Sequence, residues 1–179
     1  MQKANRWLNP RRRLMAEVER ALLTGPKPPI VVSLSNYSRA DIERHYALGS
    51  DRLVTLLNGV DLNRFAPMPP VGAIRNRAGG NQPIALYIGK DVKRKGLDTA
   101  LAAVALLEAD QRPIIGAAAG RSTLRGPGMT IPPGVKVIPI GPTPDPRTLY
   151  ADADFFVLPT RHDPCSLVVL EALAMGVPR

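Results

Sequence analysis

"IALYIGKDVKRKGLDTALAAVALLEADQRPIIGAAA", Ile84 to Ala119, is the stretch that decides the fold. It opens on "IALYIG", where neighbouring rather than alternate positions are apolar, the pattern of a strand covered on both faces. A basic loop follows. "KGLDTALAAVALLEA" then places Leu97, Leu101, Val104 and Leu107 at helical spacing, and "PIIGAAA" is a second apolar run. Strand, helix and strand in this order predict a parallel sheet.

The alternation continues downstream. "GRSTLRGPGMTIPPG" is a loop broken by Gly and Pro, "VKVIPI" a third strand, "PDPRTLYADA" a short helix, and "DFFVLPT" a fourth strand. "SLVVLEALAM" is a last helix, stopped by Gly176. Upstream, Arg13 to Leu23 is an amphipathic helix ended by "TGPKPP", and "PIVVSLS" is a short buried strand. "NYSRADIERHYALGS" is a helix with Asn36 or Ser38 as N-cap and Gly49 as its stop, and "DRLVTLL" is a strand closed by Asn58-Gly59. Residues 58–83 are rich in Pro, Gly and Asn and carry no sustained period, so a linker is expected there. The organisation predicted is 1–57, a 58–83 linker and 84–179, all of α/β class.

Composition narrows the function. The 179 residues carry 24 Lys and Arg against 15 Asp and Glu, a formal charge of +9, so the surface favours anionic partners. No aromatics interleave with the basic residues and no recognition-helix or zinc-finger spacing appears, which argues against nucleic acid as partner. One cysteine, Cys165, excludes an intramolecular disulfide framework and offers no zinc cluster. The N-terminus is basic but lacks the apolar stretch of a signal peptide, and no run is long enough to span a bilayer. A cytoplasmic location is therefore expected.

In parallel sheets ligands bind beyond the carboxyl ends of the strands, which directs attention to Gly89–Gly96 and Pro159–Ser166. "GKDVKRKG" sets Lys90, Lys93, Arg94 and Lys95 before an expected helix N-terminus, where cations are unfavourable unless an anion such as phosphate lies between them. A solvated basic loop is the plainer alternative. Asp163, in the loop after the fourth strand, and Glu171, in the last helix, can face one crevice, with the backbone N–H groups of Ser166 and Leu167 between them; as surface acids they would need no role. "DAD" at Asp152–Asp154 has the form of a metal-dependent sugar-nucleotide site but falls at the amino end of its strand, so a structural role is expected. His45 reads as a polar helix face, and His162 as a candidate substrate contact.

Together, "VVSLSNYSRADIERHY", "NGVDLNRFAP", "YIGKDVKRKGLDTAL", "LYADADFFVLPT" and "HDPCSLVVLEALAMGVP" resemble the retaining glycosyltransferases of the GT-B fold, family 4, over about residues 30–179. The resemblance implies two Rossmann-like domains. Here they would be the end of the acceptor-side domain and the first four strands of the donor-side domain. It implies a hexose-type sugar passed from a nucleotide-diphosphate donor to a hydroxyl of a glycan or glycolipid acceptor, with retention, in cell-envelope synthesis. No cofactor and no metal are implied. In position, Gly89, Lys90 and Lys95 correspond to the residues that bind the donor diphosphate, Asp163 to the first acid, which contacts the transferred sugar, and Glu171 to the second, which binds the ribose. Ser166 stands where the family has Gly, and the backbone of Ser166, Leu167 and Val168 would meet phosphate and sugar. Asp for Glu and Ser for Gly both alter reach near the sugar.

The resemblance also implies peripheral contact with the anionic inner face of the membrane, to which "NPRRRLMAEVER" could contribute, although a solvated helix is the better reading of that stretch. Against the family plan the chain is expected to be incomplete at both ends, with open strand edges, uncovered apolar surface and no turnover by itself. The alternatives are a sugar-nucleotide epimerase of the same fold, or a basic binding module without catalysis.

Overall fold

The computed structural model describes residues 10–118 and 129–179, in two compact units, 1–58 and 59–179. Most of the expected loop over 120–134 lies outside the described residues.

The first unit contains α1 (Pro10–Thr24), β1 (Val31–Ser33), α2 (Asn36–His45) and β2 (Leu53–Thr55). β1 and β2 pair in parallel, Val31 opposite Leu53 and Ser33 opposite Thr55. The N-cap of α2 is Ser35, not Asn36 or Ser38: its backbone is extended and its Oγ accepts from Ser38 N at 3.1 Å. Neither helix buries a residue, and Ile30, Val32, Leu34, Val54, Leu56 and Leu57 along the strand pair stay exposed. An apolar face of this length on a parallel pair is the kind of surface that a neighbouring layer ordinarily covers.

The second unit holds α3 (Arg75–Ala78), β3 (Ile84–Ile88), α4 (Val92–Lys95), α5 (Leu97–Ala105), β4 (Ile114–Ala118), β5 (Val137–Pro139), α6 (Arg147–Asp152), β6 (Phe155–Phe156) and α7 (Leu167–Ala174). Its parallel sheet runs β5-β4-β3-β6. The order reverses between β3 and β6, the first and last strands of the unit, so the crevice of a Rossmann-type sheet opens between their carboxyl ends.

Alternation along β3 explains why the strand looks apolar throughout. Ile84 and Leu86 enter a core with Ile114, Ile138, Tyr150, Phe156 and Ala172, while Ala85 and Tyr87 enter a second core with Leu97, Leu101, Val104 and Ile115. The first is covered by α6 and α7, the second by α5. Leu107, expected on the buried side, lies beyond the end of α5 and is exposed. Residues 59–83 supply Phe65, Ile74 and Ala78 to the first core and form α3.

β6 is far shorter than "DFFVLPT" suggests. Its ladder opposes only Phe155–Phe156 to Ala85–Leu86, with Val157 N donating to Leu86 O at 2.9 Å, before Pro159 turns the chain into the crevice loop. On its other side Phe156 N donates to Pro178 O at 2.7 Å, so the segment after α7 already runs beside this strand.

The "DAD" acids work as scaffold. Asp152, 1% exposed, accepts from the backbone amides of Val71, Gly72, Ile74 and Arg75 at 2.7–3.3 Å, tying the start of α3 to the end of α6. Burial raises the pKa of its carboxyl, but these amide donors outweigh it and hold the pKa below its ordinary value. Asp154 accepts from Ile84 N and pairs with Arg75. Asp152→Asn is expected to lower stability by about 2 kcal/mol at neutral pH, because one oxygen becomes a donor facing amides. The depressed pKa makes the carboxylate's contribution complete above the ordinary carboxylate range and lost as pH falls through the folded value, so the difference in urea denaturation between wild type and variant should narrow in acid.

Candidate functional site

Beyond β3 the chain turns at Gly89, whose N donates to Ala118 O at 3.2 Å. A Cβ at Gly89 would lie 2.8 Å from Tyr87 Oη and 3.2 Å from the Cβ of Lys95, so the backbone there passes tightly beneath the base of the Lys95 side chain. The basic residues lie just before a helix as expected, α5 with Gly96 at its N-cap, but three of them are themselves helical. Asp91 caps α4, accepting from Arg94 N at 3.1 Å, and Lys93, Arg94 and Lys95 form its last turn, where the helix dipole favours cations. These cations therefore end α4 and stand directly ahead of α5, and what points to a ligand is the direction of one side chain.

That side chain is Lys95. Its Nζ donates to Asp163 Oδ2, and the two side chains are only 16% and 10% exposed. Burial raises the Asp163 pKa, but the hydrogen bond and charge of Lys95, with Arg94 adding to the charge, more than cancel it and leave the acid below its ordinary value. Ser166 Oγ faces the same carboxylate and helps keep it ionised, yet it meets no partner at hydrogen-bonding geometry and is buried. Ser166 is the N-cap of α7 but its hydroxyl caps nothing, so the first amides of α7, including those of Leu167 and Val168, keep their donors free of a side-chain cap. A largely enclosed ammonium, a carboxylate and an uncapped helix N-terminus therefore meet at one point.

Glu171, one turn further along α7, is held from below. Its Oε2 lies 2.8 Å from Tyr150 Oη, which also approaches Val168 O at 3.1 Å. Tyr150 is fully buried against Phe65 and Phe156. Its pKa is raised by burial first and then by the Glu171 carboxylate, so the phenol keeps its proton and acts as a fixed donor. Lys90 is exposed at the rim. The site residues expected from sequence thus divide: Gly89, Lys95, Asp163 and Ser166 converge, Leu167 and Val168 open the helix beside them, Glu171 is oriented separately by Tyr150, and Lys90 stays at the edge.

Two residues that sequence reasoning passed over bind the crevice loops together. Arg161 N donates to Arg94 O at 2.9 Å, its guanidinium donates to Lys93 O, and it pairs with Asp98 at 3.0 Å; Thr160 Oγ1 also donates to Arg94 O, at 3.2 Å. In return Arg94 Nη1 donates to His162 O at 3.1 Å. The signal in the sequence was position: Thr160 and Arg161 lie within Pro159–Ser166, just before Asp163, but their side chains carry no pattern that singles them out.

A family model described as glycosyl transferases group 1 matches residues 82–179, the part that contains every one of these residues. The chain belongs to the group 1 glycosyl transferases. It is 32% identical to the glycogen synthase of Thermus thermophilus over 150 residues, covering 71% of this chain and 34% of that protein. It is 27% identical to the D-inositol 3-phosphate glycosyltransferase of Thermobispora bispora over 166 residues, covering 83% and 38%. Among solved structures, WaaG, a glycosyltransferase involved in lipopolysaccharide biosynthesis, matches 98% of this chain and 50% of its own with a TM-score of 0.79 at 24% identity. HepE of Anabaena, solved with UDP-glucose, matches 96% and 49% at 0.71. The mixed α/β fold with parallel sheets is that of these GT-B glycosyltransferases, and the chain spans about half the length of these structures and little more than a third of the curated relatives.

Proposed function

We propose that the crevice between β3 and β6 binds a nucleotide-diphosphate sugar, and that the activity it serves is transfer of a hexose-type sugar to a hydroxyl of a glycan or glycolipid acceptor, with retention, in cell-envelope synthesis. The observation that carries this is the enclosed Lys95 ammonium, set against Asp163 and the uncapped N-terminus of α7. Diphosphate oxygens suit such a place because amides at a helix N-terminus and a lysine both favour negative charge. Family membership and the UDP-glucose bound by HepE support the donor class.

In this reading Lys95, Lys90 and the Ser166–Val168 amides hold the diphosphate, Asp163 meets the sugar, and Glu171, aimed by Tyr150, accepts from the ribose. As the anomeric carbon parts from the donor oxygen, negative charge grows on the diphosphate, where the lysine and amides already point. The acceptor oxygen bonds to the same face of that carbon and its proton leaves on the diphosphate. The basic α1, with exposed Leu14, Met15, Val18 and Leu22, supports peripheral contact with an anionic membrane and a cytoplasmic site of action. None of the described helices is long and apolar enough to cross one.

The chain should bind at least one of UDP, GDP and ADP with a Kd below about 1 mM, and its monophosphate more weakly, in calorimetric titrations. Failure of all three to bind a folded chain overturns the assignment.

A further inference from the structure

The last turn of α4 leaves a deficit that is met from distant sequence. Gly96, at φ +80°, ends α4 and caps α5, so the two helices do not share one bonding ladder. Asp91, Val92 and Gly96 carbonyls still accept from the amides of Lys95, Gly96 and Ala100. The carbonyls of Lys93 and Arg94 are instead taken by residues 160 and 161, and Arg161 occupies both: its side chain bonds Lys93 O and its amide Arg94 O. The same guanidinium reaches Asp98 on α5, bracing both sides of the Gly96 break.

We propose that Arg161 is a positioning residue for Lys95: by completing the last turn of α4 and tying it to α5, it fixes the turn from which the ammonium reaches into the crevice. The proposal rests on the donor-binding reading above. The Arg161–Asp98 pair is 54% and 35% exposed, and as an isolated surface pair it would contribute only about 0–1 kcal/mol. Its effect is geometric, since one planar fork bonds a carbonyl of α4 and a carboxylate of α5 at once. A lysine at 161 reaches one of them at a time.

The test compares wild type, Arg161→Ala, Arg161→Lys and Asp98→Asn. The first measurement is affinity for whichever of UDP, GDP and ADP binds the wild type most tightly, and for its monophosphate. Arg161→Ala should weaken the diphosphate about tenfold and the monophosphate less than about twofold, with Arg161→Lys between and Asp98→Asn a smaller change of the same sign. The second is amide exchange without ligand. Protection at Lys95 and Gly96 should fall in Arg161→Ala while that of Ile84–Ile88 holds.

Equal weakening of both nucleotides, or none, overturns the proposal, as does unchanged protection at Lys95. If no nucleotide binds the wild type, the donor-binding reading fails and exchange alone decides the role of Arg161. If Arg161→Ala does not fold, Asp98→Asn and Arg161→Lys carry both measurements, and wild-type behaviour in the two of them overturns it.

Discussion

Replacing Lys95 by Ala is expected to weaken nucleoside diphosphate binding about a hundredfold, the upper range for loss of a charge-assisted hydrogen bond in a partly dry site. The enclosure of the pair drives the effect: at 16% exposure the ammonium is poorly replaced by water. The same change leaves the mostly enclosed Asp163 without the cation that most lowers its pKa, so that pKa rises. The signs follow. In the wild type the depressed pKa of Asp163 means the pair stabilises the fold fully above the ordinary carboxylate range, and this is lost as pH falls through the folded value. In Lys95→Ala the destabilisation is greatest at neutral pH and shrinks on acidification as Asp163 takes up a proton. Adding Asp163→Asn should restore stability without restoring binding, because removing both partners leaves no orphaned charge. Titration calorimetry with the diphosphate, and urea denaturation at pH 7 and about pH 4, the ordinary carboxylate range, read both effects. A Lys95→Ala chain that folds and binds within twofold of wild type removes this lysine from the site.

Much of the second unit was legible because burial on two faces leaves its mark on every residue of a strand. "IALYIG" and "PIIGAAA" fall on β3 and β4, and the search regions named from the switch-point rule hold Lys95, Asp163 and Ser166. The misreadings have one cause. Local signals do not show where a backbone carbonyl finds its partner. The basic residues of α4 looked like a loop because Gly96 so near suggested a break, and the turn that precedes the break is completed only by Arg161, far along the chain. β6 was overestimated because Val157 and Leu158 are as apolar as Phe155 and Phe156, and nothing local announces that the ladder ends before Pro159 comes up against Gly96. Tyr150 as the partner of Glu171 was likewise invisible, since its neighbours in sequence announce a core residue, which it also is.

That approach of Pro159 to Gly96 carries the second large effect. Gly96→Ala is expected to destabilise the second unit by about 2–5 kcal/mol, combining left-handed backbone strain of about 1–2 with an overpacking cost of about 1–3. A Cβ at Gly96 would sit 2.0 Å from the carbonyl oxygen of Pro159 and 2.7 Å from its carbon, and backbone on both sides cannot yield as a side-chain tip can. Gly79 supplies the internal control: it too has positive φ, +66°, but nothing lies within 4 Å of an added Cβ. Gly79→Ala should therefore show the backbone strain alone, about 1–2 kcal/mol. The difference between the two variants in urea denaturation measures how closely the loops after β3 and β6 must meet. If Ala at 96 costs no more than Ala at 79, the close approach is not what holds them. If the larger cost appears, relief requires Pro159 to withdraw, and Asp163 withdraws with it. Any Gly96→Ala molecules that still fold should then lose diphosphate affinity with Lys95 and Asp163 both intact, because the pair depends on the contact beneath it.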